Sequence, residues 1–88
     1  MTLRVPVCGA CGWATFPALL LCPRCGAASW GEEVVGGGVL EGRTERDGVG
    51  IGAVRTPLGP VVVARLEGRS DVGDRVELDE RDGIPVAS

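Results

Sequence analysis

Four cysteines within the first 25 residues are the side chains best suited to chemistry in this sequence. They form two pairs, Cys8-x2-Cys11 and Cys22-x2-Cys25, with ten residues between the pairs, and a glycine follows each pair directly. A two-residue spacing lets both sulfurs of a pair face one point, and two such pairs supply four thiolates in a tetrahedron. The spacing therefore predicts a metal site whose ligands are Cys8, Cys11, Cys22 and Cys25.

This donor set favours zinc. Four sulfurs in a tetrahedron suit either zinc or iron, and the ten-residue loop between the pairs is short for an ordinary rubredoxin. We expect one structural Zn²⁺ ion, with iron as the alternative. Two disulfides are typical of secreted chains, and the sequence shows no signal peptide ahead of Cys8. Four thiolate ligands leave no open coordination position, so the metal is expected to stabilise structure and not to catalyse a reaction.

Few of the other residues are suited to catalysis. The 88-residue chain has no histidine and no tyrosine, and all nine of its basic residues are arginine. Histidine is the residue that most often transfers protons at neutral pH. The four thiols are assigned to the metal, which leaves no cysteine nucleophile. We therefore expect a subunit that is not an enzyme by itself.

The charge pattern argues against a nucleic-acid partner. The net charge is −3, and arginines alternate with acids in segments such as EGRTERD and DVGDRVELDERDG. Such interleaving leaves no basic stripe, which is the usual footprint of a nucleic-acid-binding surface. No apolar run approaches the length of a membrane span. We expect a soluble, cytoplasmic protein with no membrane contact.

The residues after Trp30 have the pattern of a small β-barrel. Short β-type runs are separated by turn signals roughly every 8–12 residues, and we predict five strands, of which the first covers 34–46 and bends at its glycines. Five such strands fit an OB-fold barrel, with an SH3-like barrel as the alternative. Because side chains alternate between the two faces of a strand, Val49, Ile51 and Ala53 share one face of the second predicted strand. In the same way, Val62, Ala64 and Leu66 share one face of the third.

The predicted architecture is all-β, with a zinc ribbon over residues 1–32 and the barrel over residues 33–88. Within the ribbon, residues 12–21 are predicted to form a short hairpin that carries Trp13 and Phe16 as an apolar cover for the metal site. A ribbon of this size cannot bury every apolar residue in that segment, and contiguous exposed apolar surface marks interfaces. We therefore predict that a partner contacts the leucine run, Leu19, Leu20 and Leu21.

The order of these motifs resembles one known family. Cys-x2-Cys-Gly is followed by Phe-Pro, by Cys-Pro-x-Cys-Gly, by a tryptophan and by the five-strand barrel. This order is similar to that of the acyl-CoA-associated family numbered thirty-five among the domains of unknown function. The segments VGDRVEL and DGIPV also resemble the last two strands of the family. The matching ribbon residues are Cys8, Cys11, Gly12, Phe16, Pro17, Cys22, Pro23, Cys25, Gly26 and Trp30.

The resemblance implies a rubredoxin-like zinc ribbon joined to an OB-fold, acting as a small partner of a thiolase-superfamily enzyme. Thiolases, acetyltransferases and aldolases that act on acyl-CoA esters are the enzymes concerned. In such a hetero-oligomer the chain would be a non-catalytic subunit that stabilises the complex and assists binding of the CoA ester. The alternative function is that of a zinc-ribbon and OB-fold protein that binds nucleic acid.

Three arginines around the first predicted hairpin are candidates for contact with the phosphates of CoA. Arg43, Arg46 and Arg55 are suited to this role because the guanidinium group matches phosphate geometry. The alternative is that they are solvated and form surface ion pairs of modest energy. The acids available for such pairs are Glu41, Glu45 and Asp47.

Overall fold

The computed structural model describes residues 2–88, which contain seven β-strands. Within these residues there is no helix, and so none that is long and apolar enough to cross a membrane. The prediction of an all-β chain is confirmed. The strands are β1 (Leu3–Cys8), β2 (Trp30–Val35), β3 (Gly37–Arg46), β4 (Val49–Arg55), β5 (Val61–Leu66), β6 (Arg75–Arg81) and β7 (Ile84–Ala87).

Strands β3 to β7 form a closed barrel in the order β3-β4-β5-β7-β6, and β6 pairs with β3 to complete it. Neighbouring strands are antiparallel except β5 and β7, which are parallel. The third barrel strand thus lies beside the fifth, and the fourth lies beside the first. This is the strand order of the five-stranded OB-fold, so the predicted barrel is confirmed.

Aliphatic side chains that alternate along the strands fill the barrel. Val62 and Ala64 on β5 are buried, as the alternation predicts. On β4 the buried residues are Gly52 and Val54, and Val54 lies opposite Val62 in the register. Because side chains alternate between the two faces of a strand, the predicted apolar set of β4 points away from the core. That set is Val49, Ile51 and Ala53.

The predicted first strand is divided into two strands by Gly36. Residues up to Val35 belong to β2, which pairs with β1, whereas β3 begins at Gly37 and pairs with barrel strands. The carbonyl oxygen of Gly36 accepts a hydrogen bond from the backbone N–H of Leu78 on β6, at 3.0 Å. A single residue therefore connects the ribbon to the barrel, and it is itself hydrogen-bonded to a barrel strand.

The ribbon contains its own two-stranded antiparallel sheet. Its register runs from Leu3 opposite Val35 to Cys8 opposite Trp30. The predicted hairpin within residues 12–21 is wrong, since this segment consists of turns and bends with one isolated bridge, to β1. The sheet of the ribbon is made instead by β1 and β2, which pair along their whole length. This pairing places Leu3, the first residue of β1, opposite Val35, which directly precedes Gly36 and the first barrel strand.

One hydrophobic core is shared by the ribbon sheet and the barrel. Leu3, Val5 and Val35 from the ribbon are buried in the same cluster as Leu40 and Leu78 from the barrel. An ion pair on the surface, between Arg4 and Glu80, also joins β1 to β6 at 3.0 Å. The predicted boundary between residues 32 and 33 falls inside β2 and remains a prediction. The contacts of Leu3, Val5 and Val35 make the ribbon sheet a cover for the barrel interior.

Two adjacent glycines allow the barrel strands to approach each other closely at the start of β3. A Cβ atom at Gly37 would overlap the carbonyl oxygen of Val76, and one at Gly38 would overlap the carbonyl oxygen of Arg55. Both obstacles are backbone atoms of paired strands, so they cannot move aside as a flexible side chain can. Closure of so small a barrel therefore depends on glycine at these positions.

We predict that Gly38→Ala lowers the free energy of unfolding by about 3 kcal/mol or more, because the new methyl group overlaps a backbone oxygen. Chemical denaturation followed by circular dichroism measures the change. The matched control is Gly36→Ala, where a Cβ atom has nothing within 4 Å and the change is expected to stay within about 0.5 kcal/mol. Equal stability of the two variants would contradict the packing described.

Candidate metal centre

Each cysteine pair lies on a tight turn of the same form, here called a knuckle. The carbonyl oxygen of Cys8 accepts a hydrogen bond from the N–H of Gly12 at 2.9 Å, and that of Cys22 accepts one from Gly26 at 2.7 Å. The φ angles of Gly12 and Gly26 are 78° and 76°, a region that glycine adopts without steric cost. The glycine after each pair is thus explained by backbone geometry.

The two knuckles bring the four sulfur atoms together. The sulfurs of Cys8 and Cys25 are 3.5 Å apart, those of Cys11 and Cys22 are 3.6 Å apart, and all four lie within 4.8 Å of one another. Neither distance is that of a disulfide, in which the sulfurs are about 2.05 Å apart. A tetrahedral zinc site with bonds of about 2.3 Å has sulfur–sulfur edges of about 3.8 Å. The donor set therefore fits one tetrahedral metal ion.

Backbone amides in each knuckle stabilise the thiolate of its first cysteine. The N–H groups of Cys11 and Ala10 lower the pKa of Cys8 to about 6, although burial acts against them. At Cys22 burial raises the pKa, but the amides of Cys25 and Arg24 outweigh it and the net direction is downward. Each knuckle thus presents one sulfur that is readily ionised.

The last cysteine shows why the cluster suits a cation. The amide of Ala27 lowers the pKa of Cys25, but the neighbouring Cys8 sulfur and burial raise it to about 12. Sulfurs this close cannot all carry negative charge unless a positive charge lies among them. A bound divalent cation keeps coordinated thiols deprotonated, so the four residues match the charge as well as the geometry of such an ion.

Two aromatic residues of the ribbon, Trp13 and Phe16, lie where it meets the barrel. Phe16 packs against the shared core. Both line a groove of about 360 Å³ together with Leu58 of the β4–β5 turn and Val61, the first residue of β5. The two aromatic side chains therefore connect the knuckle segment to the barrel.

The predicted partner-binding leucines are exposed. Leu19, Leu20 and Leu21 have 43%, 91% and 55% of their surface accessible. They immediately precede Cys22, so the segment that presents them is held at one end by the sulfur cluster. An exposed run of three leucines is available for contact with another protein.

The three arginines proposed for CoA phosphates do not form one cluster. Arg55 pairs with Glu41 at 2.9 Å, and Arg43 pairs with Glu45 at 3.5 Å. Arg46 lies opposite Val49, at the far end of β4 from Arg55. Six residues along a strand span about 20 Å, so Arg46 and Arg55 are too far apart to bind the same phosphate.

A second exposed apolar surface, not predicted from the sequence, lies on the outside of the barrel. Val63 on β5 is 64% exposed and lies beside Ala53 on β4 in the register. The sequence does indicate an exposed apolar surface, because β5 carries valines on both faces and only one face is needed for the core. Alternation shows that the faces differ, but it does not show which of two apolar faces is buried.

The ribbon segment matches a known family in sequence. Residues 2–31, which include all four cysteines, match the model of the ChsH2 rubredoxin-like zinc ribbon domain. Comparison with the sequences of curated proteins gave no significant match.

The whole chain is similar in fold to a solved structure titled "Ltp2-ChsH2(DUF35) aldolase". The TM-score is 0.81 at 22% identity, and the alignment covers 98% of this chain and 83% of that one. At this level of identity the likeness concerns the fold. The resemblance predicted from the motifs is confirmed: the amino-terminal segment matches the ChsH2 rubredoxin-like zinc ribbon in sequence, and the chain is similar in fold to the ChsH2(DUF35) structure.

Proposed function

We propose that this chain is a non-catalytic accessory subunit of an acyl-CoA enzyme of the thiolase superfamily. The observation that carries the proposal is its likeness, over 98% of its length, to a structure titled as an Ltp2-ChsH2(DUF35) aldolase. The subunit stabilises the enzyme in a hetero-oligomer and assists binding of the CoA ester. Its own residues support this role, since the sequence has no histidine and its cysteines are gathered at one site. The reactive groups of the complex belong to the partner.

The four cysteines are proposed to hold one structural metal ion, zinc, with iron as the alternative. Cys8, Cys11, Cys22 and Cys25 would supply four thiolates, and the ion would neutralise their charge and fix the two knuckles relative to each other. Thiolate ligands must remain reduced, which supports the predicted cytoplasmic location.

Partner contact is proposed for the leucine run, and contact with CoA phosphates for the arginines. The exposure of Leu20 supports the first of these. Among the arginines, Arg46 offers its guanidinium most readily, because Arg43 and Arg55 are engaged by Glu45 and Glu41. A nucleic-acid-binding role is less well supported, since single-strand binding by an OB-fold relies on aromatic side chains and all three aromatics lie at positions 13, 16 and 30.

We predict one metal ion per chain in protein purified under reducing conditions. About four thiols should react with a thiol reagent only after a chelator is added, because the ion and the folded ribbon protect them together. Metal analysis identifies the ion. Cys22→Ser should lose it, whereas Arg24→Ala, an exposed change in the same knuckle, should keep it. Metal-free protein with four reactive thiols would contradict the site.

We predict that the isolated chain turns over no acyl-CoA ester, because it has no histidine and its four cysteines are gathered at one site. Affinity purification of the tagged chain from its native host should recover a thiolase-superfamily protein, identified by mass spectrometry. The recovered complex is expected to process an acyl-CoA ester. Turnover by the pure chain alone, or recovery of nucleic acid and ribosomal protein in place of the enzyme, would contradict the proposed function.

We predict that Leu20→Asp weakens the affinity for the enzyme about tenfold, which is the cost of losing one well-placed apolar contact. Titration calorimetry on the purified subunits measures this. Ile84→Asp is the matched control, because Ile84 is 56% exposed and belongs to barrel strand β7. If both variants bind as tightly as the natural chain, the leucine run is not at the interface.

A further inference from the structure

The outward side of strands β3, β4 and β5 carries small and apolar residues bordered by arginines, and is called here the outer face. Val61 and Val63 on β5 lie beside Arg55 and Ala53 on β4, and Arg65 lies beside Ile51. These residues alternate with the buried residues of the same strands and so point away from the core. The outer face is defined by Val39, Ile51, Ala53, Val61, Val63 and Arg65.

The fold does not need apolar residues at these positions. The inward neighbours Val54, Val62 and Ala64 already fill the barrel. On the outer face, Val63 is 64% exposed, and Val39 and Val61 are each about two-fifths exposed. Single exposed valines are ordinary, but Val63 lies beside Ala53, and Ile51 follows on the same side of β4. Adjoining exposed apolar residues of this kind are characteristic of a surface that another molecule covers.

The outer face is also shaped to receive a side chain. A groove of about 330 Å³ runs between Gly42 on β3, Ala53 on β4 and Val63 on β5. A Cβ atom at Gly42 would have only the Cβ of Ala53 within 4 Å, at 3.9 Å, so the groove exists because two small residues lie side by side. An apolar side chain of a partner would fill this space without displacing any part of the barrel.

The charge of the outer face specifies the kind of partner. Within strands β3 to β5, three arginines lie on this side of the sheet, Arg46, Arg55 and Arg65, with one acid, Glu41, which pairs with Arg55. Within residues 2–88, Arg65 takes part in none of the ion pairs. The chain as a whole has a net charge of −3, so this surface has the opposite sign. It complements an apolar patch that is flanked by carboxylates.

We propose that the outer face binds the enzyme subunit through an apolar protein surface bordered by aspartate or glutamate residues. The inference rests on the proposed function. It adds to that function the part of this chain that contacts the enzyme, and the chemical character of the enzyme surface that contacts it. Single-stranded nucleic acid does not fit as the occupant, because the outer face has no aromatic side chain for base stacking. Arg65 and Val63 carry the two components of the interaction, charge and apolar contact.

The test measures affinity for the thiolase-superfamily protein that the natural chain recovers from its host. Val63→Asp places a negative charge at the centre of the apolar surface, and Arg65→Glu reverses the charge at its border. Each is expected to weaken binding about tenfold or more, and the binding of the natural chain is expected to weaken at high salt. Val72→Asp is the control, because Val72 is 61% exposed and lies outside the strands.

Folding is checked by metal content and circular dichroism, and Val63→Thr serves if Val63→Asp does not fold. Loss of affinity in the outer-face variants alone supports the inference. If the natural chain binds the enzyme and the outer-face variants bind equally well, the inference is wrong while the proposed function stands. If the natural chain recovers no such enzyme, the proposed function is wrong and this inference with it.

Discussion

Burial of ribbon side chains against the barrel is the interaction on which the whole molecule depends. A domain of this size buries only roughly 60% of the surface of its unfolded chain, so it has little apolar contact to spare. Leu3, Val5 and Val35 add ribbon surface to a barrel interior made of valine, leucine and alanine. Because these contacts are continuous, the ribbon is a structural part of the barrel rather than an appendage.

The sulfur cluster lies directly beyond this shared core. Cys8 is the last residue of β1, and Trp30 opposite it is the first residue of β2. The strands that enter the core therefore begin and end at the knuckles, so a metal ion that fixes the knuckles also fixes the ends of the core strands. This arrangement explains how a short chain keeps both parts ordered without a helix in residues 2–88.

The sequence predicts the parts of the structure that depend on local chemistry. Cysteine spacing and the glycines after each pair predict the knuckles, and alternation predicts the buried residues of β5. Two features depend on long-range pairing and were not predicted. The pairing of β1 with β2 joins residues 22 to 32 positions apart, and no local pattern encodes it. The outer face was missed because β4 and β5 have small or apolar residues on both sides, and the choice between faces depends on the register with other strands.

The connection between ribbon and barrel is one residue long, and this has a consequence for recognition. Gly36 is bonded to β6 through Leu78, and Leu3, Val5 and Val35 pack in the barrel core, which restricts movement of the ribbon sheet relative to the barrel. Less conformational freedom is then lost when one protein contacts both regions, the exposed leucines near Cys22 and the valines on β5. Selectivity then comes from geometry as well as composition, because a surface with the right chemistry but the wrong spacing engages only one region.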